Sequence, residues 1–247
     1  MIICEIGLNH MGDKDRAIQM IEKILNSNAD AISFQIREPE FYVGNPEYLL
    51  PTSFYKYAKN IINSNGKSFG LSICDISYKD YSEDVSVDFY KILSWAISDY
   101  QLVKELASSK NKHMYLSTGM SDYKDIDILM KKYHLIRDNL SLIHTQLSFS
   151  INDVNLLAIL EMKDRYDVPI SYGHHCENMS VLSLSLAFLP DSVFFYVKLD
   201  DDIAIPDDKH AVYLSQIEKI VSRLKILPKA VGSSNKIKMK NKVEGLK

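Results

Sequence analysis

The chain has 247 residues, 46% of them hydrophobic and 25% charged, with a formal net charge of −3. These are ordinary globular values, which exclude intrinsic disorder for the body of the chain. The small negative charge excludes a nucleic-acid binder held by bulk positive charge but leaves room for a local basic pocket.

Short β-rich runs alternate with longer helical patterns. The predicted strands are 2–6 (IICEI), 30–35 (DAISFQ), 68–73 (SFGLSI), 87–92 (VDFYKI), 113–117 (HMYLS), 140–145 (LSLIHT), 168–172 (VPISY) and 192–198 (SVFFYVK). After the first strand, Ala17, Ile18, Ile21, Ile24 and Leu25 form one apolar helical face. Ile126, Leu129, Met130 and Tyr133 repeat at helical spacing after the fifth, with Ser121 placed as an N-cap. The segment 178–189 alternates like a strand (VLSLSLAF) and is assigned helix by its position alone. After the eighth strand, Tyr213, Ile217, Ile220, Val221 and Leu224 make the last helical face.

Strict β–α alternation argues a parallel sheet, because parallel neighbours need a crossover connection. Eight such units favour a single-domain (β/α)₈ TIM barrel over residues 1–227, a fold that takes roughly 250 residues. An open doubly wound sheet is the alternative, since sequence does not encode closure. Residues 228–247 are basic and polar and read as a frayed tail rather than a second domain.

Cys4, Cys74 and Cys176 are an odd, widely spaced set, which suits a reducing cytosol better than a disulfide framework. The N-terminus lacks a secretory pattern and no apolar run approaches ~18 residues, so a cytoplasmic chain with no membrane partner is expected.

In such a barrel the chemistry sits where strands run into βα loops. Glu5, with Asn9 and His10 after it, marks the end of strand 1, and Gln35 the end of strand 2. Lys91 and Ser94 follow strand 4, Ser117 and Thr118 strand 5, and His144 strand 6. Polar residues also simply mark where strands leave a core. Glu5 and Lys91 are harder to explain that way, because each is flanked by apolar residues where an unpaired charge is costly. A buried lysine near Ser94, Ser117 and Thr118 suits an anion site. His10 either binds substrate or caps a turn. His174 and His175 point apart on an extended strand, so at most one faces a pocket. His210 lies in a polar loop with no evident partner.

Glu5 to Asp13 (EIGLNHMGD), Ala29 to Gln35 (ADAISFQ) and Asp88 to Met120, with its Tyr-Lys-Ile and Ser-Thr-Gly-Met elements, resemble the signatures of the sialic acid synthase family. IHT followed by Asn152 to Ile159 (NDVNLLAI) is similar to its sixth-strand region. The resemblance implies a (β/α)₈ barrel that condenses phosphoenolpyruvate with an open-chain N-acyl amino-sugar aldehyde, giving a nine-carbon 2-keto acid and phosphate. It implies Glu5 as the carboxylate acting on substrate or water and Gln35 as a sugar contact. Lys112, Ser117 and Ser94 would hold phosphoenolpyruvate, with Lys91 in support. His175 falls where the family has a metal-binding histidine; the expected cofactor is a divalent metal, Mn or Mg, acting as a Lewis acid.

The departures from the family pattern are specific. Ser33 stands where a phosphate-binding lysine is expected, and no second metal histidine follows strand 8, where Val197 or Lys198 falls. Lys198 could replace the metal's charge, or His175 with Asp200 could hold a weakly bound ion. The family's Gly-Pro-Asp loop is matched loosely by Pro206-Asp207. Its C-terminal antifreeze-like domain, which completes a swapped dimer, has no counterpart here, so the expected partner is a barrel-only homodimer or a separate antifreeze-like domain protein. Two other readings stay open: a catalytically degenerate sugar- or phosphate-binding barrel, and an aldolase-type lyase using Lys91 as a Schiff base.

Overall fold

The structure, a computed structural model, describes residues 1–108, 112–236 and 238. Eight parallel strands run in chain order: β1 (Ile2–Gly7), β2 (Ala31–Gln35), β3 (Ser68–Ile73), β4 (Phe89–Ile92), β5 (His113–Ser117), β6 (Leu140–His144), β7 (Ile170–His174) and β8 (Val193–Lys198). β8 pairs back onto β1, with Ile3 beside Phe194 and Glu5 beside Tyr196, so the sheet closes on itself. The fold is a closed (β/α)₈ barrel and not an open doubly wound sheet.

The helices between the strands are α1 (Lys14–Leu25), α2 (Pro39–Gly44), α3 (Thr52–Ser64), α4 (Lys79–Val85), α5 (Tyr100–Ser108), α6 (Tyr123–Lys132), α7 (Ala158–Arg165) and α8 (Ser180–Leu184), followed by α9 (Ile217–Ile226) and α10 (Pro228–Val231). α1 buries Ala17, Ile21 and Ile24 as its periodicity predicts, while Ile18 and Leu25 are only partly covered. α6 buries Ile126, Leu129 and Met130, but its N-cap is Asp122, not Ser121. Asp122 accepts from the amides of Lys124 and Asp125, and Asp125 returns a bond to the Asp122 amide. A carboxylate in that position also meets the positive end of the helix dipole, which a serine hydroxyl does not match.

The alternating segment 178–189 does form helix, though only α8 is α-helical; Ser185–Phe188 tightens into a 3₁₀ turn. Tyr213 is not part of the last helix. It sits with Val212 in a two-residue strand, β9 (Val212–Tyr213), paired to Val197 and Lys198 of β8. The tail begins with α10, and beyond residue 236 the expectation of a frayed end falls, Lys238 apart, outside the described residues. Among the described residues no helix is long and apolar enough to cross a membrane.

Two apolar layers result from strand alternation. Outward residues pack against the helices in the larger core. Inward residues Ile3, Ala31, Phe89, Tyr115, Ile143 and Phe194 fill the barrel itself. Gly70 makes room for this plug, because a Cβ there would lie 2.2 Å from the Phe89 ring. Two residues further along the same inward faces stand Glu5, Ser33, Lys91, Ser117, Thr145 and Tyr196. The strands thus carry an apolar floor and, one layer higher, a polar one.

Candidate functional site

Above that polar layer a cavity of about 250 Å³ opens at the C-terminal mouth. Its polar lining is Gln35, Arg37, Lys91, Ser94, Ser117, His175 and Asp207. Leu8, Leu93, Trp95, Leu147, Tyr196 and Pro206 supply the walls.

Lys91 reaches Glu5 across the barrel at 2.6 Å, and both side chains are 3% exposed. The pair lies over the faces of Phe194 and Tyr196, with the ammonium 5.3 and 5.7 Å from the ring centroids. Neither charge tolerates this depth alone; together they persist because each satisfies the other. Glu5 lies just beneath the cavity, and Lys91 is the member that lines it.

Beside the pair, Ser94 donates to Ser117 at 3.1 Å and accepts from the Gly119 amide at 3.2 Å. Gln35 accepts from the Tyr196 hydroxyl at 3.0 Å. Tyr196 occupies space above Gly7, whose φ of +56° and 2.5 Å clearance from the ring both require glycine.

The loop after β8 brings Asp207 over the mouth. Asn9 fixes it, donating to the Val197 carbonyl at 3.0 Å and accepting from the Asp207 amide at 3.3 Å. Burial pushes the Asp207 carboxyl up to about 7, helped by the negative charge of Glu5 and opposed by Lys91 and Arg37. His210 packs behind it, 3.7 Å from the carboxylate, and stacks on His175 at 4.7 Å between centroids. Burial pushes His210 down to about 4 and His175 well below its usual range, so both imidazoles are neutral.

Five of the predicted site residues line this cavity: Gln35, Lys91, Ser94, Ser117 and His175. His174 turns away, as strand geometry requires, and bonds to the Tyr172 hydroxyl at 3.1 Å. The others lie elsewhere. Asn9 positions the loop from behind. His10 is fully buried against Phe34 and accepts from the Gly12 amide at 2.9 Å, so it caps a turn. Thr118 gives its hydroxyl to the Ile143 carbonyl, and His144 bonds to the Val154 carbonyl; both border a neighbouring hollow. Lys112 stands just before the first residue of β5, a strand length of ~16 Å from Ser117, at the wrong end of the barrel to hold a ligand.

Sequence reasoning missed Arg37, Trp95, Tyr196 and His210 as parts of the site. Arg37 and Trp95 lie in βα loops after predicted strands, and the rule that such loops carry the chemistry could have flagged them.

The residues present do not fit the implied metal. Among the described residues, no group of three or more His, Cys, Asp or Glu side chains is gathered to hold an ion. The His175 and His210 rings lie face to face, tilted by 25°, rather than converging on one point. Asp200 instead accepts from the amide and hydroxyl of Ser215. Lys198 is turned to Asp208, at 2.7 Å from its carboxylate, and does not line the cavity.

Fold and site define a class: a (β/α)₈ barrel with a cavity of charged and polar side chains at its C-terminal mouth. The family described as NeuB matches residues 46–236, and the chain belongs to it. A protein of Methanocaldococcus jannaschii is 30% identical over 96% of this chain and 74% of its own length. The N,N'-diacetyllegionaminic acid synthase of Campylobacter jejuni is 25% identical over 96% of this chain and 78% of its own. The human N-acetylneuraminate-9-phosphate synthase is 23% identical over 95% and 72%. The crystal structure of the Leptospira borgpetersenii sialic acid synthetase superposes with a TM-score of 0.88 at 22% identity, covering 97% of this chain and 87% of that one.

Proposed function

We propose that the chain condenses phosphoenolpyruvate with an N-acyl amino-sugar aldehyde, giving a nine-carbon 2-keto sugar acid and phosphate. The observation that carries this reading is the Glu5–Lys91 pair, buried in the barrel directly beneath a cavity lined by hydroxyls and a carboxyl. It rests as well on the relatives that are legionaminic and neuraminate synthases.

In the proposed reaction the enol carbon attacks the aldehyde carbon, forming the new carbon–carbon bond. Water adds to the resulting cation at the phosphate-bearing carbon, and phosphate leaves as the ketone forms. The Glu5 carboxylate takes the proton from that water, and Lys91 holds Glu5 in place and offsets its charge. Asp207, with its carboxyl near half-protonated at neutral pH, gives its proton to the oxygen that was the aldehyde. Ser94 and Ser117 bind the phosphate, and Gln35 binds the sugar.

The test supplies phosphoenolpyruvate with N-acetylmannosamine and related aldehydes and measures phosphate release. Release that needs both substrates, and a loss of at least about 10²-fold in Glu5→Gln, is the expected result. No release across the panel and no phosphoenolpyruvate binding by calorimetry would refute the reading.

One observation favours a second reading, a barrel that binds without turning over: Ser33 brings an unpartnered buried hydroxyl, not a cation, to the polar layer. Phosphoenolpyruvate binding without phosphate release would identify it. A Schiff base on Lys91 is disfavoured, since an ammonium paired with Glu5 is not a free amine.

A further inference from the structure

We propose that Arg37 is the oxyanion anchor of the cavity, gripping the phosphate or carboxylate group of the donor substrate. The identity of the donor rests on the function proposed above; the anchor itself rests on the geometry of one side chain.

None of the three lysines that the sequence offers for an anion is free to serve this cavity. Lys91 is neutralised by Glu5, Lys198 is turned to Asp208, and Lys112 is at the far end of the barrel. In the polar layer β2 brings the Ser33 hydroxyl and not a cation. Two residues beyond Gln35, the chain places an arginine on the cavity wall instead.

Arg37 is built into position. Its guanidinium lies 4.9 Å from the ring centroid of Phe41 and 4.9 Å from that of Trp95. Its backbone amide donates to the Tyr42 hydroxyl at 3.0 Å. Glu38 takes the Nε and Nη2 donors at 2.9 and 2.7 Å, and the Cys74 thiol donates to the same carboxylate at 3.3 Å. Arg37 in turn holds the Glu38 carboxyl down to about 2, so this buttress stays anionic. Nη1 has no hydrogen-bond partner among the described residues. A planar fork with one edge braced and the other free is suited to bidentate capture of an oxyanion. The Ser94 and Ser117 hydroxyls line the same cavity, and the Gly119 amide bonds to Ser94. Because Glu38 cancels the charge of Arg37, the grip comes from directed hydrogen bonds more than from net charge.

Trp95 is the chain's single tryptophan and touches Arg37, so it reports on this spot. The experiment titrates the whole chain with phosphoenolpyruvate, inorganic phosphate and pyruvate, following Trp95 fluorescence and, in parallel, calorimetric heat. The wild-type chain should respond saturably to phosphoenolpyruvate. Arg37→Gln should weaken it by roughly 10- to 100-fold, and Arg37→Lys, which keeps the charge but loses the fork, by less. A phosphate response that Arg37→Gln weakens places the phosphate end at Arg37, and a pyruvate response that it weakens places the carboxylate end there. The KM for the sugar should move less than about twofold. Thermal unfolding of each variant checks that the fold survives, as expected for a side chain 28% exposed. Wild-type binding with Arg37→Gln binding equally well would overturn the anchor and leave the proposed reaction standing. A wild-type chain that binds none of the three compounds would overturn both.

Discussion

Glu5 and Lys91 are expensive to bury separately, so each is a strong test of the other. Glu5→Gln leaves an ammonium at 3% exposure with no counter-ion and should cost about 3 kcal/mol in urea unfolding, beyond its effect on turnover. Adding Lys91→Met to that variant should recover most of the stability and none of the activity; a double variant less stable than the single would contradict the pairing. Asp207 gives a second, opposite test. Its folded pKa, raised from 3.8 to about 7, means the folded chain is penalised as pH rises through 7. Asp207→Asn should therefore stabilise the chain, and the gain at pH 8 should exceed that at pH 5 by about 2–3 kcal/mol. Its turnover should fall, and the decline of wild-type kcat/KM above about pH 7 should be absent from the variant. An unaltered pH profile would remove Asp207 from proton transfer. The pair was legible in the sequence because charges inside apolar strand runs demand a partner. Arg37 and Asp207 were harder to see because they sit in loops, whose paths no alternation encodes. Lys112 misled because resemblance by position ignored strand direction: it precedes β5 and so belongs to the opposite end.

All eight predicted strands form, because each is a short apolar run bounded by polar or turn residues. Their limits moved where local chemistry intervened. The predicted start at 168 became Ile170, since Pro169 has no amide to give and offers only its carbonyl, to Leu142. Helix starts were less legible, because Ser121 and Asp122 are both good caps and only the folded turn chooses between them. That choice is measurable. Asp122→Ala should cost about 1 kcal/mol and Ser121→Ala less than about 0.3 kcal/mol; equal costs would show that the capping box contributes nothing. β9 left no signal, being two residues that pair with Val197 and Lys198 at the end of β8.

Closure is a property of the whole molecule that no window of sequence carries, since it depends on β1 meeting β8 across most of the chain. It is also what buries the histidines. His10, His174 and His210 are each at most 2% exposed, and burial lowers each pKa from 6.5 to about 4. An unfolded chain takes up those protons near pH 6.5 while the folded chain refuses them until about pH 4. The stability tied to the neutral imidazoles is thus fully present above pH 6.5 and lost as pH falls toward 4, at up to about 3 kcal/mol each. Asp207 works the other way over the same range and offsets about one histidine. From these four groups together the net expectation is a loss of about 5 kcal/mol between pH 7 and 4. Urea midpoints at unit steps of pH measure this directly. His210→Phe, which keeps the stack on His175, should flatten the dependence by about half, and Asp207→Asn should steepen it. A midpoint that holds constant from pH 7 to 5 would mean that the imidazoles are reached by water, and with it the closed rim above them would have to be given up.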